Sequence, residues 1–472
     1  MNFNTALFLF LFLPFFLILY FFAQPRWRPV IGILASLLFY AWGSVPNLVG
    51  ILVLLLFNYW LGLRLDAKPA KWLLPVGLFV NVGSLVFYKY FVIYGVSQFP
   101  ELVLFLPERV NDWFGSLAFP LGLSYISFQL ISYLIDVQKK TVKAERNLAA
   151  FAFYVLMFPK LLVGPIVRYR TLAEQLTEPV LDSHQIADGI RRFLRGFAKK
   201  MLIADVLAKT VNAVFDLPVN ASTPGLAWLA LIGYALQIYY DFSGYTDMAI
   251  GLAAMMGLRF IENFNYPYIA QSIGDFWRRW HISLSSWFRD YVFYPLERMR
   301  LPVVGQSINT LIVFLLTGLW HGFGVSFAVW GLLHGSFLVI EGLFLNRWLQ
   351  KIFRPIRHLY ALTAILLTWL VFRAPDLQYV LDFLRLLAGN NSNHIQLEFA
   401  ATSPLPFIEP SFVIALVAGI LLSIPITPSL QKRFGESFSF TIATDLLLLA
   451  LFVLSVGMMA SSTFLPGIYQ GF

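Results

Sequence analysis

Apolar runs of membrane-spanning length alternate along this chain with short clusters of Lys and Arg, and that alternation predicts most of its helices. A first helix is expected over Thr5–Phe22, followed at once by Arg26 and Arg28. A second runs from Val30 to Trp42, and after the short turn Gly43-Ser44-Val45-Pro46 a third continues to Leu63. Arg64, Lys68 and Lys71 close that segment. A fourth helix covers Leu73–Tyr94, Ser97–Trp113 reads as an outer loop with an interfacial turn, and a fifth helix runs from Leu117 to Ile135. It ends at Lys139, Lys140, Lys143 and Arg146. Cytoplasmic loops carry the Lys/Arg excess, so the N-terminus is expected outside and the loop from Lys139 to Arg146 inside.

Beyond this point the pattern loosens. Phe151–Val167 is apolar but interrupted by Pro159, Gly164 and Pro165, which predicts a broken or re-entrant segment. Arg191, Arg192, Arg195, Lys199 and Lys200 stud a helix whose apolar positions include Ile190, Leu194, Phe197 and Met201. It suits either the cytoplasmic membrane face or a solvated loop. Leu226–Leu258 is a long apolar stretch, residues 275–300 are amphipathic, and two spanning runs surround His321 and His334. Tyr360–Phe372, Ser411–Ile426 and Ile442–Met459 are further spans, and Arg373–Pro410 reads as a loop with short helices. The sum is an all-α polytopic membrane protein of ten to twelve transmembrane helices plus re-entrant and interfacial helices. It is expected to form one integral membrane domain over 1–472, with its motifs between about 120 and 345.

Composition agrees. The 472 residues are 59% hydrophobic and 12% charged, whereas soluble domains are about 45–50% apolar and about 25% charged. The net charge of +9 reports cytoplasmic loops and not nucleic-acid binding. With no cysteine, disulfides, thiolate catalysis and Cys-ligated metals are excluded. The run Ala6–Phe22 lacks a basic leader and a small-x-small cleavage site, and reads as a retained first helix.

Three stretches carry candidate chemistry. TGLWHG, Thr317–Gly322, places His321 between two apolar runs, where an ionisable side chain is costly and marks either a functional site or a structural hydrogen bond between helices. Trp320 supplies a flat wall, and Gly318 and Gly322 leave the backbone open. DFWRRWHISLSSWFRDYVFYPL begins at Asp275. Read as a continuous helix, it aligns Trp277, Trp280, Leu284, Trp287 and Tyr291 on one stripe, with His281, Ser285 and Phe288 beside it. Asp275 can pair with Arg279 at i,i+4. Arg278, Arg279 and Arg289 then make either an interface anchor or a basic, aromatic mouth for a phosphate-bearing molecule such as coenzyme A. YYDFSGYTD holds Asp241 and Asp247 with Ser243 and Tyr245 in an apolar run. These could form an interior polar network, a proton path, a hydroxyl-substrate site or ion pairs with Arg. His334 in WGLLHG suits a packed helix and a hydrogen-bonding role. His184, His358 and His394 read as loop residues. No phosphate loop, zinc helix or nucleophile elbow is present, and no metal site is expected. A buried His with hydroxyls nearby suits general-base activation of an alcohol for acyl transfer.

TGLWHG, WGLLHG, the Asp275 motif and YYDFSGYTDMAIGLAAMMG together resemble the membrane-bound O-acyltransferase family. SYISFQLISYLIDV from Ser124, which contains Gln129, and FPKLLVGPIVRY from Phe158 extend the likeness upstream. The resemblance implies a bowl-shaped α-helical bundle with a central tunnel. His321 corresponds to the family's intramembrane histidine and His281 to its second motif histidine. Trp320, Asp241, Ser243, Tyr245, Trp277, Arg278, Arg279, Trp280, Gln129 and His334 would bind substrate or line the tunnel. It further implies acetyl-coenzyme A as cytoplasmic donor with no permanently bound cofactor, and an extracytoplasmic SGNH-type partner that acetylates a cell-surface or secreted polysaccharide. The setting is the cytoplasmic membrane and its lipid. Lys160 stands where the family motif has Gln. D-alanyl transfer to teichoic acids by the same fold, and transport of a polysaccharide or lipid carrier with Asp241 and Asp247 as coupling carboxylates, are the alternatives. The lack of an internal repeat argues against the transporter.

Overall fold

The computed structural model describes residues 2–95, 120–299, 305–322, 324–390, 408–435 and 437–461. Among these, every regular element is helical and no strand occurs. The expected outer loop over 97–113, the start of the fifth helix at Leu117 and His394 lie outside the described residues. Two compact units divide the chain, the first taking 1–193 and 248–261, the second 194–247 and 262–471.

In the first unit the apolar runs form α1 (Leu13–Phe22, preceded by a π-helical turn Phe8–Phe12), α2 (Arg28–Ala41), α3 (Val45–Ala67) and α4 (Leu73–Val86). Prolines at the second positions of α2 and α3, Pro29 and Pro46, cost nothing there, because amides in a helix's first turn have no intrahelical partner. Ser44 caps α3 by accepting the Asn47 amide. Asn58 and Asn81, both fully buried, exchange side-chain amide hydrogen bonds of 3.2 and 2.8 Å between α3 and α4, which is how polar residues join helices in lipid. Next come α5 (Leu123–Gln138) and α6 (Leu148–Leu156). After α6 the chain is broken, as Pro159, Gly164 and Pro165 predict, into a short 3₁₀ turn (Phe158–Lys160) and buried non-helical backbone to 168. Phe158 is held in a ring cluster with Phe12, Phe16 and Phe39. Lys160 is fully buried; its ammonium donates to the Tyr154 carbonyl and lies 4.1 Å from the Tyr154 ring centroid. The lysine at the departing motif position therefore braces its own segment. The amphipathic α7 (Ser183–Ala198) follows.

The second unit contains α8 (Asp205–Phe215), most of α9 (Pro224–Met255), α10 (Ile273–Arg279), α11 (Ile282–Phe288), α12 (Gly305–His321), α13 (Val325–Ile340, continued by a π-turn Glu341–Leu345) and α14 (Arg354–Arg373). Then come α15 (Leu377–Leu387), α16 (Pro410–Leu422), α17 (Ile426–Phe434) and α18 (Phe438–Ser461).

By length and composition five helical stretches among the described residues can cross a membrane: 45–67, 73–90, 325–349, 354–373 and 438–461. Three further apolar helices are shorter. Large apolar side chains such as Phe22, Phe79 and Leu447 are 88%, 78% and 59% exposed. A surface that apolar is stable against lipid and not against water.

Two expectations are corrected. Residues 275–300 are not one helix. The chain leaves α10 at Trp280, and His281 takes a left-handed conformation (φ 43°) before α11 starts. The five stripe residues are nonetheless all buried. His184 and His358 are not loop residues, since they are the second residue of α7 and the fifth of α14. The polar start RPIRH of α14 opens with Pro at a position the first turn tolerates, and His358 Nδ1 lies 3.1 Å from the Ala270 carbonyl oxygen.

Candidate functional site

The site is built on the hairpin of α12 and α13. The motifs TGLWHG and WGLLHG each carry glycines four apart, Gly318 with Gly322 and Gly331 with Gly335. The α-carbons of Gly318 and Gly331 face each other across the hairpin. A Cβ on Gly318 would stand 2.2 Å from the Phe327 carbonyl oxygen, and one on Gly331 would stand 2.2 Å from that of Phe314. Small residues let the two backbones touch, and the histidines just before each second glycine are thereby fixed in place.

His321 ends α12 and is 2% exposed. Its ring lies edge-on against Trp320 (4.7 Å between centroids), Trp330 (5.2 Å) and Phe372 (5.2 Å). Trp320 also reaches toward His281, at 6.2 Å. The two histidines thus flank one indole.

His281 is 1% exposed and packs edge-on against Phe242 at 4.7 Å. Its conformation is held by Asn263. The Asn263 backbone oxygen accepts the Ile282 amide at 3.0 Å, and its side-chain oxygen accepts the Ser283 amide at 3.1 Å and the Ser283 hydroxyl at 2.8 Å. A backbone N–H can only donate, so the amide oxygen of Asn263 faces this cluster. His281 Nδ1, 3.1 Å from the same oxygen, must then carry the proton. Burial pushes the His281 pKa down to about 3, so the ring is neutral, and Nε2 is left with a lone pair and no hydrogen-bond partner among the described residues. That is the tautomer a base or acceptor needs.

His334 has the opposite tautomer. Trp277 Nε1–H donates to His334 Nδ1 at 3.2 Å, and an indole N–H can only donate. Nδ1 is therefore the acceptor and the His334 proton is on Nε2.

A cavity of about 390 Å³ opens between α10–α11 and α12, with Trp277, Arg278, Ser285, Arg289, Phe314 and Thr317 among its walls. Thr317 lies one turn before His321. Neither His321 nor His281 lines this cavity. The arginines part company here. The Arg278 side chain is 72% exposed, 3.6 Å from Asp275. Arg279 is tied down, with Nε donating to Asp275 at 3.0 Å and a terminal nitrogen to the Asn265 carbonyl at 3.2 Å. Trp280 is 2% exposed among Phe264, Phe276 and Trp369, away from the cavity walls.

Asp241 is 2.7 Å from Lys200, which also pairs with Asp205 at 2.6 Å, and Asp247 pairs with Lys199 at 2.6 Å. Both the ion-pair reading and the interior-network reading describe this buried cluster, with lysines among the partners where the sequence suggests arginines. Tyr245 adds its ring 5.7 Å from the Lys200 ammonium, and Ser243 is buried on the same helix. In the first unit, Gln129 is fully buried on α5, and neither its amide oxygen nor its nitrogen has a hydrogen-bond partner among the described residues; the same holds for the Ser124 and Ser127 hydroxyls.

Sequence reasoning missed two residues. Asn263 lies eighteen residues before His281 in a stretch, NFNYPY, with no periodic relation to the motif. Glu341, 1% exposed at the end of α13, did leave a signal: it is a lone acid in the apolar run LVIEGLFL, and such residues mark function or pairing.

Residues 51–380 match the model of the membrane-bound O-acyltransferase family. The chain belongs to this family and is a multi-pass membrane acyltransferase. It is 41% identical over 385 residues to the probable alginate O-acetylase AlgI of Azotobacter vinelandii, covering 80% of this chain and 76% of that protein. It is 33% identical over 436 residues to the peptidoglycan O-acetyltransferase of Helicobacter pylori, covering 82% and 80%. The teichoic acid D-alanyltransferase of Bacillus subtilis is 31% identical over 245 residues, covering 49% and 60%.

Proposed function

We propose that this chain, in the cytoplasmic membrane, transfers acetyl groups from cytoplasmic acetyl-coenzyme A to a hydroxyl of an extracytoplasmic SGNH-type partner protein, which acetylates a cell-surface or secreted polysaccharide of the alginate kind. The observation that carries the reading is the pair of buried histidines flanking Trp320, one of them with its lone pair fixed on Nε2. The acetyl group and the polysaccharide follow from the relatives named above, and the SGNH partner from the family resemblance. Acetyl transfer is preferred to D-alanyl transfer because the likeness to the acetylases extends over 80% of the chain and that to the D-alanyltransferase over 49%.

His321 takes the proton from the acceptor hydroxyl as its oxygen attacks the thioester carbonyl. The tetrahedral intermediate collapses, the C–S bond breaks, and the proton returns from His321 to the departing thiolate, giving acetyl ester and free coenzyme A. His281 Nε2 orients the acceptor hydroxyl. The aromatic box keeps water from competing for the thioester. The hydroxyls of Ser124 and Ser127 and the amide of Gln129, which have no hydrogen-bond partner among the described residues, suit the wall of a hydrated passage.

The purified protein in lipid nanodiscs is the test. Acetyl-labelled coenzyme A should pass its label to the candidate SGNH partner with release of one free thiol per acetyl, and absence of label transfer to any hydroxyl acceptor would overturn the reading.

Arg278 and Arg279 should then behave differently. Arg278→Gln is expected to raise the KM for acetyl-coenzyme A about tenfold, the loss of one charge-assisted hydrogen bond to a phosphate, with folded yield unchanged. Arg279→Gln should mainly lower the yield of folded protein, because it releases Asp275 and Asn265 together. Equal KM values for wild type and Arg278→Gln would make Arg278 an interface anchor.

A further inference from the structure

We propose that Glu341 and His334 act together as positioning residues that hold α10 at two points and so set the wall of the cavity beside it. Both lie on one face of the same membrane helix, seven residues apart, with Leu338 between them lining the cavity. At the lower contact both carboxyl oxygens of Glu341 accept backbone amides from the first turn of α10, Ile273 at 2.6 Å and Gly274 at 2.9 Å, while the Tyr360 hydroxyl adds a third donor at 3.1 Å. These amides have no partner within α10 itself. At the upper contact His334 Nδ1 accepts the Trp277 indole N–H, and its ring stacks on Phe276 at 6.3 Å. Helix α10 therefore runs antiparallel to α13, tied at its beginning and again four residues on. Gly274, Trp277 and Arg278, which this clamp places, are all cavity walls.

The chemistry of each contact is specific. Two parallel N–H donors need two acceptor oxygens, so Gln at position 341 would present an NH₂ to one of them. At position 334 the requirement is an acceptor where Nδ1 stands, and an Asn side chain can offer its oxygen there. The proposed role of His334 is thus distinct from that of His321 and His281, since its only available ring acceptor is already used by Trp277. That the cavity serves the acyl donor rests on the function proposed above. The clamp itself does not.

The absence of cysteine from the chain supplies a reporter that is independent of catalysis. Ser285→Cys places a single thiol in the cavity wall, and its rate of labelling by a maleimide reads the shape of that wall. Against this background, His334→Phe and Glu341→Gln should each change the labelling rate several-fold, and His334→Asn should restore it to that of Ser285→Cys alone. Trp277→Phe combined with His334→Phe should go no further than the larger of the two single effects, because both remove the same bond. The KM for acetyl-coenzyme A, measured in the same substitutions without the Ser285 change, should follow the same order, with His334→Asn near wild type. Unchanged labelling in folded His334→Phe and Glu341→Gln overturns the clamp. So does His334→Asn behaving like His334→Phe, because the lost group would then be the ring and not the acceptor. If labelling follows the expected order but the wild-type protein has no acetyl transfer activity, the clamp stands and the acyl-donor reading falls.

Discussion

His321→Ala is expected to lower acyl transfer by at least ~10²–10⁴-fold, the usual worth of general-base participation, in a protein that still inserts and purifies. His321 is boxed by Trp320, Trp330 and Phe372, and these rings also pack on one another: Trp330 and Phe372 lie 5.1 Å apart, and Trp330 stacks on Trp369 at 6.2 Å. Removing the imidazole therefore leaves a walled gap and not a collapsed helix pair. His321→Gln fills most of that gap and should be as inactive as His321→Ala, which separates lost chemistry from lost packing. His334→Ala gives a contrasting result, a partly active protein with a raised donor KM, since His334 spends its acceptor on Trp277. Single-turnover label transfer with equal amounts of folded protein measures all three. Near-normal turnover by His321→Ala beside a dead His334→Ala would reassign the base.

Much of this architecture was legible because the membrane makes helices follow apolar runs. The first four helices begin or end within a few residues of the positions that the Lys and Arg clusters mark, and the break after Leu156 falls where Pro159 and Gly164 interrupt the run. The α12–α13 hairpin was legible as well, because Gly322 and Gly324 separate two apolar stretches. What failed was local periodicity where a distant residue decides the backbone. Trp277, Trp280 and Leu284 fit one helical stripe, yet Asn263, far back along the chain, captures the amides of Ile282 and Ser283 and turns His281 left-handed. The burial of the stripe survived and its continuity did not. The same limit applied to charges. Asp241 stood out as a carboxylate in an apolar run, but its partner Lys200 sits forty-one residues earlier on what reads as a surface helix. At the site itself His321, His281 and Trp320 could be named from their motifs, while the approach of Trp320 to His281 and the Glu341 contact to α10 are products of packing.

Substituting Gly331 is expected to be the most destabilising single change in the helices around the site. A Cβ there would lie 2.2 Å from the Phe314 carbonyl oxygen and 3.3 Å from the Gly318 α-carbon. Both obstacles are backbone, so no side-chain rotation relieves them. Overpacking normally costs about 1–3 kcal/mol. Gly331→Ala should fall at the upper end of that range, and Gly331→Val should exceed it, because α12 and α13 must separate along the whole GxxxG face. Separation moves His321 and Trp330 apart on one side of α13, and on the other withdraws His334 and Glu341 from α10. Activity and folded yield should therefore be lost together, unlike in His321→Ala. Gly457→Ala is the control: nothing lies within 4 Å of a Cβ at that position, and replacing an exposed helical glycine by alanine should be neutral or stabilising by up to about 1 kcal/mol. Thermal unfolding followed by size-exclusion chromatography in detergent reads both. A Gly331→Val protein that is extracted in wild-type amounts and melts at the wild-type temperature would mean that the hairpin is not closed through these two glycines.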